Sequence, residues 1–353
     1  MKGLEFPVIG TKVKGLKGDF DINSPAGRAK YFKAKARDEI ATVKRYMRRK
    51  TFIAFLIGKK SSGKGTYTKL FMEIFGEGKI AFVSVGDIIR DIHANWDKFE
   101  KSRDYKELQK LYRGYISFDE AVDALHGRSQ TKLLPTEFIL ALLKLNIAKH
   151  KGKIVFVDGF LRDVDQVSYA LFLRDLVDYR DDPDIFIMID IAEKIIEERM
   201  KYRRICPVCQ TSRNLKLLPT SKVSYDEKTR EFYLECDNPT CKGAVMVPKE
   251  GDEHGLESIR ERLDRDDELL KTAFGLHGVP KVLMRNHIPV TDANLFDPYE
   301  ITPEFSFKKG KKGDIEVVEK PYVVLDDNGT KSHSLMAAPV VISMLKQLSD
   351  ILR

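Results

Sequence analysis

Thr51-Phe52-Ile53-Ala54-Phe55-Leu56-Ile57-Gly58-Lys59-Lys60-Ser61-Ser62-Gly63-Lys64-Gly65-Thr66 is the stretch that decides the fold. Its first seven residues form a near-continuous apolar run, the pattern of a strand buried on both faces. The turn that follows fits G-x-x-x-x-G-K, with Gly65 standing before Thr66 rather than a hydroxyl residue directly after the lysine. Glycines let the backbone wrap closely and aim several N–H groups at phosphate oxygens. A helix expected from Gly63 to Phe75 adds the positive end of its dipole. Gly58, Ser61, Ser62, Gly63, Lys64, Gly65 and Thr66 are therefore the candidate ATP-binding residues, with Lys64 reaching the β and γ oxygens.

Outward from that stretch the pattern repeats. Residues 80–84 form a second apolar strand ending in Ser84-Val85-Gly86-Asp87, and Lys153-Ile154-Val155-Phe156-Val157 a third ending in Asp158-Gly159. Asp184-Ile185-Phe186-Ile187-Met188-Ile189 is a fourth, ending in Asp190 and followed by a helix that carries Arg199. Strands apolar throughout belong in a parallel sheet covered by helices on both faces, with ligands at the strands' C-terminal ends. The broken, polar residues 96–130 read as an insertion, followed by a helix at 136–149. Phe305–Asp314 reads as a Lys-Gly turn region, and a terminal amphipathic helix is expected over Ala338–Leu352.

The 353 residues carry 61 basic and 53 acidic side chains, a formal net charge of +8. Residues 1–50 hold 14 of the cations and five of the anions, so the remaining 303 residues are near-neutral. A basic arm can steer polyanions, but nucleic acid is not the expected partner. Residues 28–50 read as a basic surface helix. No apolar run approaches the roughly 18 residues of a membrane span, and the N-terminus lacks a secretory layout. A cytoplasmic monomer without membrane association is expected.

The four cysteines fall into two short-spaced pairs, Cys206-x2-Cys209 and Cys236-x4-Cys241. Four thiolates make a closed tetrahedral site with no place for water, which is structural zinc chemistry. A module of some 45 residues has little core of its own, so the metal would contribute its folding energy.

Further motifs stand in a definite order: Ser84-Val85-Gly86-Asp87-Ile88-Ile89-Arg90, then Asp158-Gly159-Phe160-Leu161-Arg162-Asp163 with Gln166, then Glu198, Arg199, Arg203 and Arg204, then Arg260 and Arg262. Together with G-K-G-T they resemble the adenylate kinase family of nucleoside monophosphate kinases over about residues 51–275. The resemblance implies an α/β, three-layer P-loop NTPase fold with a central parallel sheet, inserted monophosphate-binding helices and a zinc-bearing lid. It implies transfer of a phosphoryl group from ATP, with Mg2+, to a nucleoside monophosphate, AMP being the expected acceptor. Lys64, Arg162, Arg203, Arg262 and Asp158 would be catalytic, because in-line transfer needs the moving charge neutralised by rigid donors. Arg199 would pack on the donor base. Val85, Gly86, Arg90, Gly159, Arg162, Gln166, Arg260 and Arg262 would line the monophosphate site. Asp87 and Asp158 would orient Mg2+ through water.

Residues 51–204 with 251–353 are then the kinase core, 91–150 an enlarged monophosphate insert and 205–250 the lid, extended by a hairpin over Lys216–Tyr233. Residues 1–50 are an extension. Tyr322–Leu325 is expected to supply the last core strand, making 276–320 another insertion. Three departures bear on the acceptor and the lid. Val85 replaces the family's threonine, Leu161 replaces its proline, and a further lid arginine has no match, Lys249 being the nearest cation. A lysine lacks the bidentate grip of arginine. CMP, UMP or another monophosphate stays open, as does a P-loop module of a different class that binds nucleic acid through its arm.

Overall fold

Five mostly buried strands form one parallel sheet: β1 Ile53–Gly58, β2 Ile80–Ser84, β3 Ile154–Asp158, β4 Asp184–Asp190 and β5 Lys281–Arg285. Their order is β5-β4-β1-β3-β2, with β1 at the centre. Register places Ile53 beside Val155 and Asp184, and Phe186 beside Lys281. The computed structural model describes residues 3–16, 18–127, 134–160, 182–310 and 314–353.

Alternation along each strand sends side chains to opposite faces, and both faces are covered. Ile53, Phe55, Ile57, Val155, Val157, Phe186 and Met188 pack with helices Val85–Ala94, Thr136–Ala148 and Arg260–Gly275. Ala54, Leu56, Ile154, Phe156, Ile185 and Ile187 pack on the other side with helices α1 Pro25–Lys35, α2 Arg37–Tyr46, α3 Lys64–Phe75 and the last helix, Ala337–Ile351. The result is three layers around a doubly covered sheet. Short helices Trp96–Glu100, Arg103–Leu111 and Phe118–His126 fill the inserted region and add Leu108, Ala121 and Leu125 to the first core. Among the described residues no helix is long and apolar enough to cross a membrane.

Several expectations are corrected. The sheet's last strand is β5, paired with β4, and not Tyr322–Leu325. Val323–Leu325 instead joins Lys331–Ser334 and His287–Pro289 in a separate antiparallel sheet. The segment between the last core strand and the last helix therefore begins after Arg285, so an insertion over 276–320 would remove a core strand. That segment also contains a long hairpin, Pro303–Lys309 against Ile315–Pro321, in place of a simple turn region at Phe305–Asp314.

A further correction concerns the basic arm. Residues 28–50 do not form one surface helix. The backbone breaks at Ala36 (φ −144°, ψ 34°) between α1 and α2. Tyr31, Phe32, Ala36 and Val43 are buried against the last helix and the sheet. Ser24 caps α1, accepting from the Gly27 N–H at 3.1 Å. Most of the cations occupy the outer face while the few apolar residues face inward, the usual division of an amphipathic element.

Candidate active site

β1 ends between β3 and β4, where the chain's crossovers diverge to the two halves of the sheet, and the loop Gly58–Gly63 sits at that point. A crevice at such a switch point is where open α/β sheets take ligands. The loop needs unusual backbone angles: Ser61 has φ 64° and Gly63 φ 104°. A Cβ at Gly63 would lie 2.9 Å from the Tyr67 ring, so both its angle and the space require glycine. Lys64 opens α3, and its Nζ donates to the carbonyls of Gly58 (2.7 Å) and Lys59 (3.2 Å). The Asp158 carboxylate, at the end of β3, lies 3.8 Å from it. Gly159 follows Asp158 with φ 83°.

Three cations stand close enough to the loop for their charge to act on Lys60. Burial pushes the Lys60 ammonium's pKa down, and Arg262, Lys249 and Arg203 push it the same way, against the opposing pull of Asp252. Arg203 is held in a fork by Asp252, Nε to Oδ2 at 2.6 Å and Nη2 to Oδ1 at 2.5 Å. Arg199 donates to the Ser61 carbonyl (3.1 Å) and to Asn286 Oδ1 (3.2 Å), so it lies against the loop. Arg260 pairs through its guanidinium with Glu193 at 2.7 Å, a carboxylate that also meets Lys59 of the loop, and with Glu257 at 3.5 Å.

On the acceptor side, Ser84 caps the helix Val85–Ala94 by accepting from the Asp87 N–H at 3.2 Å. Val85 and Gly86 are buried beneath that turn. Arg90 is exposed and pairs with Asp87 on the same helix face. Arg162 and Gln166 lie outside the described residues.

The four cysteines come together as expected. Their sulfurs all lie within 4.8 Å of one another, those of Cys209 and Cys236 at 3.7 Å, and none is in a disulfide. A tetrahedron of zinc–sulfur bonds of about 2.3 Å has sulfur–sulfur edges of about 3.8 Å, so the donor set fits zinc. Hydrogen bonding to Thr211 pulls the Cys209 thiol down to about 6, while burial pushes Cys241 up to about 12. Strands Arg203–Ile205, Ser212–Asn214 and Val247–Pro248 frame the cluster, and a hairpin, Val223–Asp226 with Glu231–Leu234, extends it.

No protein-family model matches the chain. It is 30% identical to the adenylate kinase of Thermotoga maritima over 212 residues, which are 60% of this chain and 78% of that protein. The chain belongs to the adenylate kinase family. The adenylate kinase of Clostridium acetobutylicum is 29% identical over 241 residues, 64% of this chain and 93% of its own length. That of Mycoplasma mobile is 26% identical over 177 residues, 50% and 68% of the two chains.

Several residues packed around the loop carried little signal in the sequence. Lys59 is buried within the loop and meets carboxylates of Glu193, Asp267 and Asp327. Asp266 accepts the Lys60 N–H at 3.0 Å. Asn286 donates to Tyr67 Oη at 2.8 Å behind the loop. These partners lie far apart along the chain, and only the fold brings them together. The one available hint was the Lys-Lys pair inside a loop otherwise made of small residues.

Proposed function

We propose that the protein is an ATP:nucleoside monophosphate phosphotransferase, with ATP and AMP giving two ADP. An oxygen of the acceptor phosphate attacks the γ-phosphorus of ATP in line, and the bond to the β–γ bridging oxygen breaks as the new one forms. Lys64 and the loop amides hold the donor phosphates, while Arg203 and Arg262 neutralise the group in transfer and Arg199 faces the donor nucleotide. Arg90, Arg162 and Gln166, with Val85, Gly86 and Gly159, form the acceptor side. Mg2+ carried with ATP would supply charge neutralisation for the donor phosphates. Asp158 is the carboxylate suited to hold it through water, being partly exposed beside Lys64, with Asp87 on the acceptor side. The cysteine cluster would hold a structural Zn2+ in a lid that excludes water during transfer.

The observation that carries this reading is the glycine-lysine loop at the end of β1, where Lys64 Nζ donates to the Gly58 carbonyl at 2.7 Å and lies 3.8 Å from Asp158, and where Arg199 donates to the Ser61 carbonyl at 3.1 Å. Arg260, bound to Glu193, acts in this reading through the lid's stem. A coupled assay of ADP formation across AMP, CMP, UMP and GMP tests it. Transfer to AMP above the others is expected, and Lys64→Met should lower kcat by at least about a hundredfold. Transfer to CMP or UMP instead would reassign the acceptor. No transfer to any monophosphate overturns the proposal.

A further inference from the structure

Lys59 is 1% exposed, although it stands inside the loop that faces the ligand edge of the sheet. Its Nζ lies 3.1 Å from Glu193 Oε1, 3.1 Å from Asp267 Oδ1 and 3.3 Å from Asp327 Oδ2. Those three carboxylates come from three different elements. Glu193 is the first residue of the helix Glu193–Lys201, which enters the lid. Asp267 lies on Arg260–Gly275, the helix that leaves it. Asp327 belongs to the turn after Val323–Leu325, and its other oxygen accepts the Glu193 N–H at 2.8 Å, so it also caps the entry helix.

The neighbouring contacts tighten the same knot. Glu193 takes Arg260 of the exit helix at 2.7 Å through its second oxygen. Asp266, adjacent to Asp267, accepts the backbone N–H of Lys60, adjacent to Lys59. Two consecutive loop residues are thus gripped by two consecutive carboxylates of one helix. Burial alone would drive the Lys59 pKa down, but Asp327, Asp267 and Glu193 outweigh it and keep the ammonium charged. A charge so buried persists only when paired, and removing it leaves three carboxylates facing one another near the phosphate loop.

We infer that Lys59 is a positioning residue that locks the phosphate loop to both stems of the lid, so that Lys64 and the lid's arginines meet the same phosphates. The inference rests on the phosphotransferase reading. It differs from a purely stabilising ion cluster in where the loss should be felt. Donor phosphates are held between loop and stems, so donor binding and transfer suffer, whereas the acceptor site on the helix Val85–Ala94 shares none of these contacts.

The test uses the full chain. Lys59→Met keeps the side chain's length and removes its charge. It should raise the KM for ATP and lower kcat by about tenfold or more each, with the KM for AMP changed less than about twofold. Lys59→Arg, which restores the cation, should recover most of the donor KM. Calorimetric titration with ATP alone should show the same weakening for Lys59→Met, a readout independent of turnover. If Lys59→Met does not fold, Asp267→Asn and Glu193→Gln take its place and should raise the ATP KM and not that of AMP. Unchanged kinetics and ATP affinity in a variant that only melts earlier would overturn the inference. Equal losses for both substrates would do the same. A wild-type protein that binds ATP but transfers to no monophosphate sinks the phosphotransferase reading instead, while its ATP titration still decides the role of Lys59.

Discussion

The ring of Phe232, in the hairpin that extends the cysteine module, lies 5.7 Å from that of Phe307, in the hairpin after β5, at an interplanar angle of 42°. Around this contact the Phe305 N–H donates to the Lys216 carbonyl at 2.8 Å, Lys216 pairs with Glu304 at 3.2 Å, and Lys309 pairs with Glu227 and lies over the Tyr225 ring. At the base, Leu217 shares an apolar cluster with Ile195, Leu263, Tyr322 and Val324. The hairpin after β5 is therefore a strap on the cysteine-bearing module.

Loosening the strap should free the lid without harming the sheet. An aromatic pair contributes about 0.5–1.5 kcal/mol beyond its area, so Phe307→Ala should shift an open–closed equilibrium by roughly two- to tenfold. Amide hydrogen exchange over 223–234 should quicken and the KM for ATP rise, with exchange in β1 and β3 unchanged. Unaltered exchange in the lid hairpin would show that the strap does not restrain it.

Metal removal should act on the lid alone. The cluster of Cys206, Leu234, Cys236, Cys241 and Met246 is too small a core to fold unaided, and zinc in such sites contributes about 10–16 kcal/mol apparent at neutral pH. Purified protein should contain about one zinc per chain. Chelation, or Cys206→Ser, should abolish transfer and expose 206–246 to protease while far-UV circular dichroism of the core persists. Metal-replete protein without zinc would contradict the assignment.

The N-terminal arm should prove essential to stability. Glu300 is fully buried and accepts from Thr11 Oγ1 at 2.6 Å, from Tyr31 Oη, and from Lys35 Nζ at 2.9 Å. Breaking a buried ion pair by deleting one partner costs about 3–5 kcal/mol. Glu300→Ala should lower the unfolding free energy in urea by about that amount, and Glu300→Gln, which keeps acceptor capacity, by less.

What the sequence made legible was what is local. An uninterrupted apolar run and a glycine-lysine turn identify β1 and its loop, and two short cysteine spacings identify the four-cysteine cluster. What it hid depends on distant partners. Tyr31, Phe32 and Val43 are scattered among cations, so composition reads as surface although the fold buries them. Lys281–Arg285 has charged ends and little periodicity, whereas Tyr322–Leu325 looks more strand-like; pairing with β4, not propensity, decided which joined the sheet. Lys59 needed partners at 193, 267 and 327, a conjunction that no window of sequence contains.

Acid should destabilise the protein through His287. Its ring is buried beside Asp190 (3.9 Å) and Asp326 (3.6 Å), with Arg285 also facing the cluster, and burial holds its pKa below the usual histidine value despite the carboxylates. A depressed folded pKa means that the unfolded chain binds the proton more readily. Stability from this group is thus fully present above about pH 6.5 and is lost as the pH falls below it. The slope should approach at most about 1.4 kcal/mol per pH unit. Urea unfolding at several pH values between about 5 and 8 checks it: His287→Asn should flatten the wild-type decline below about pH 6.5, and parallel curves for the two proteins would assign the decline to other groups.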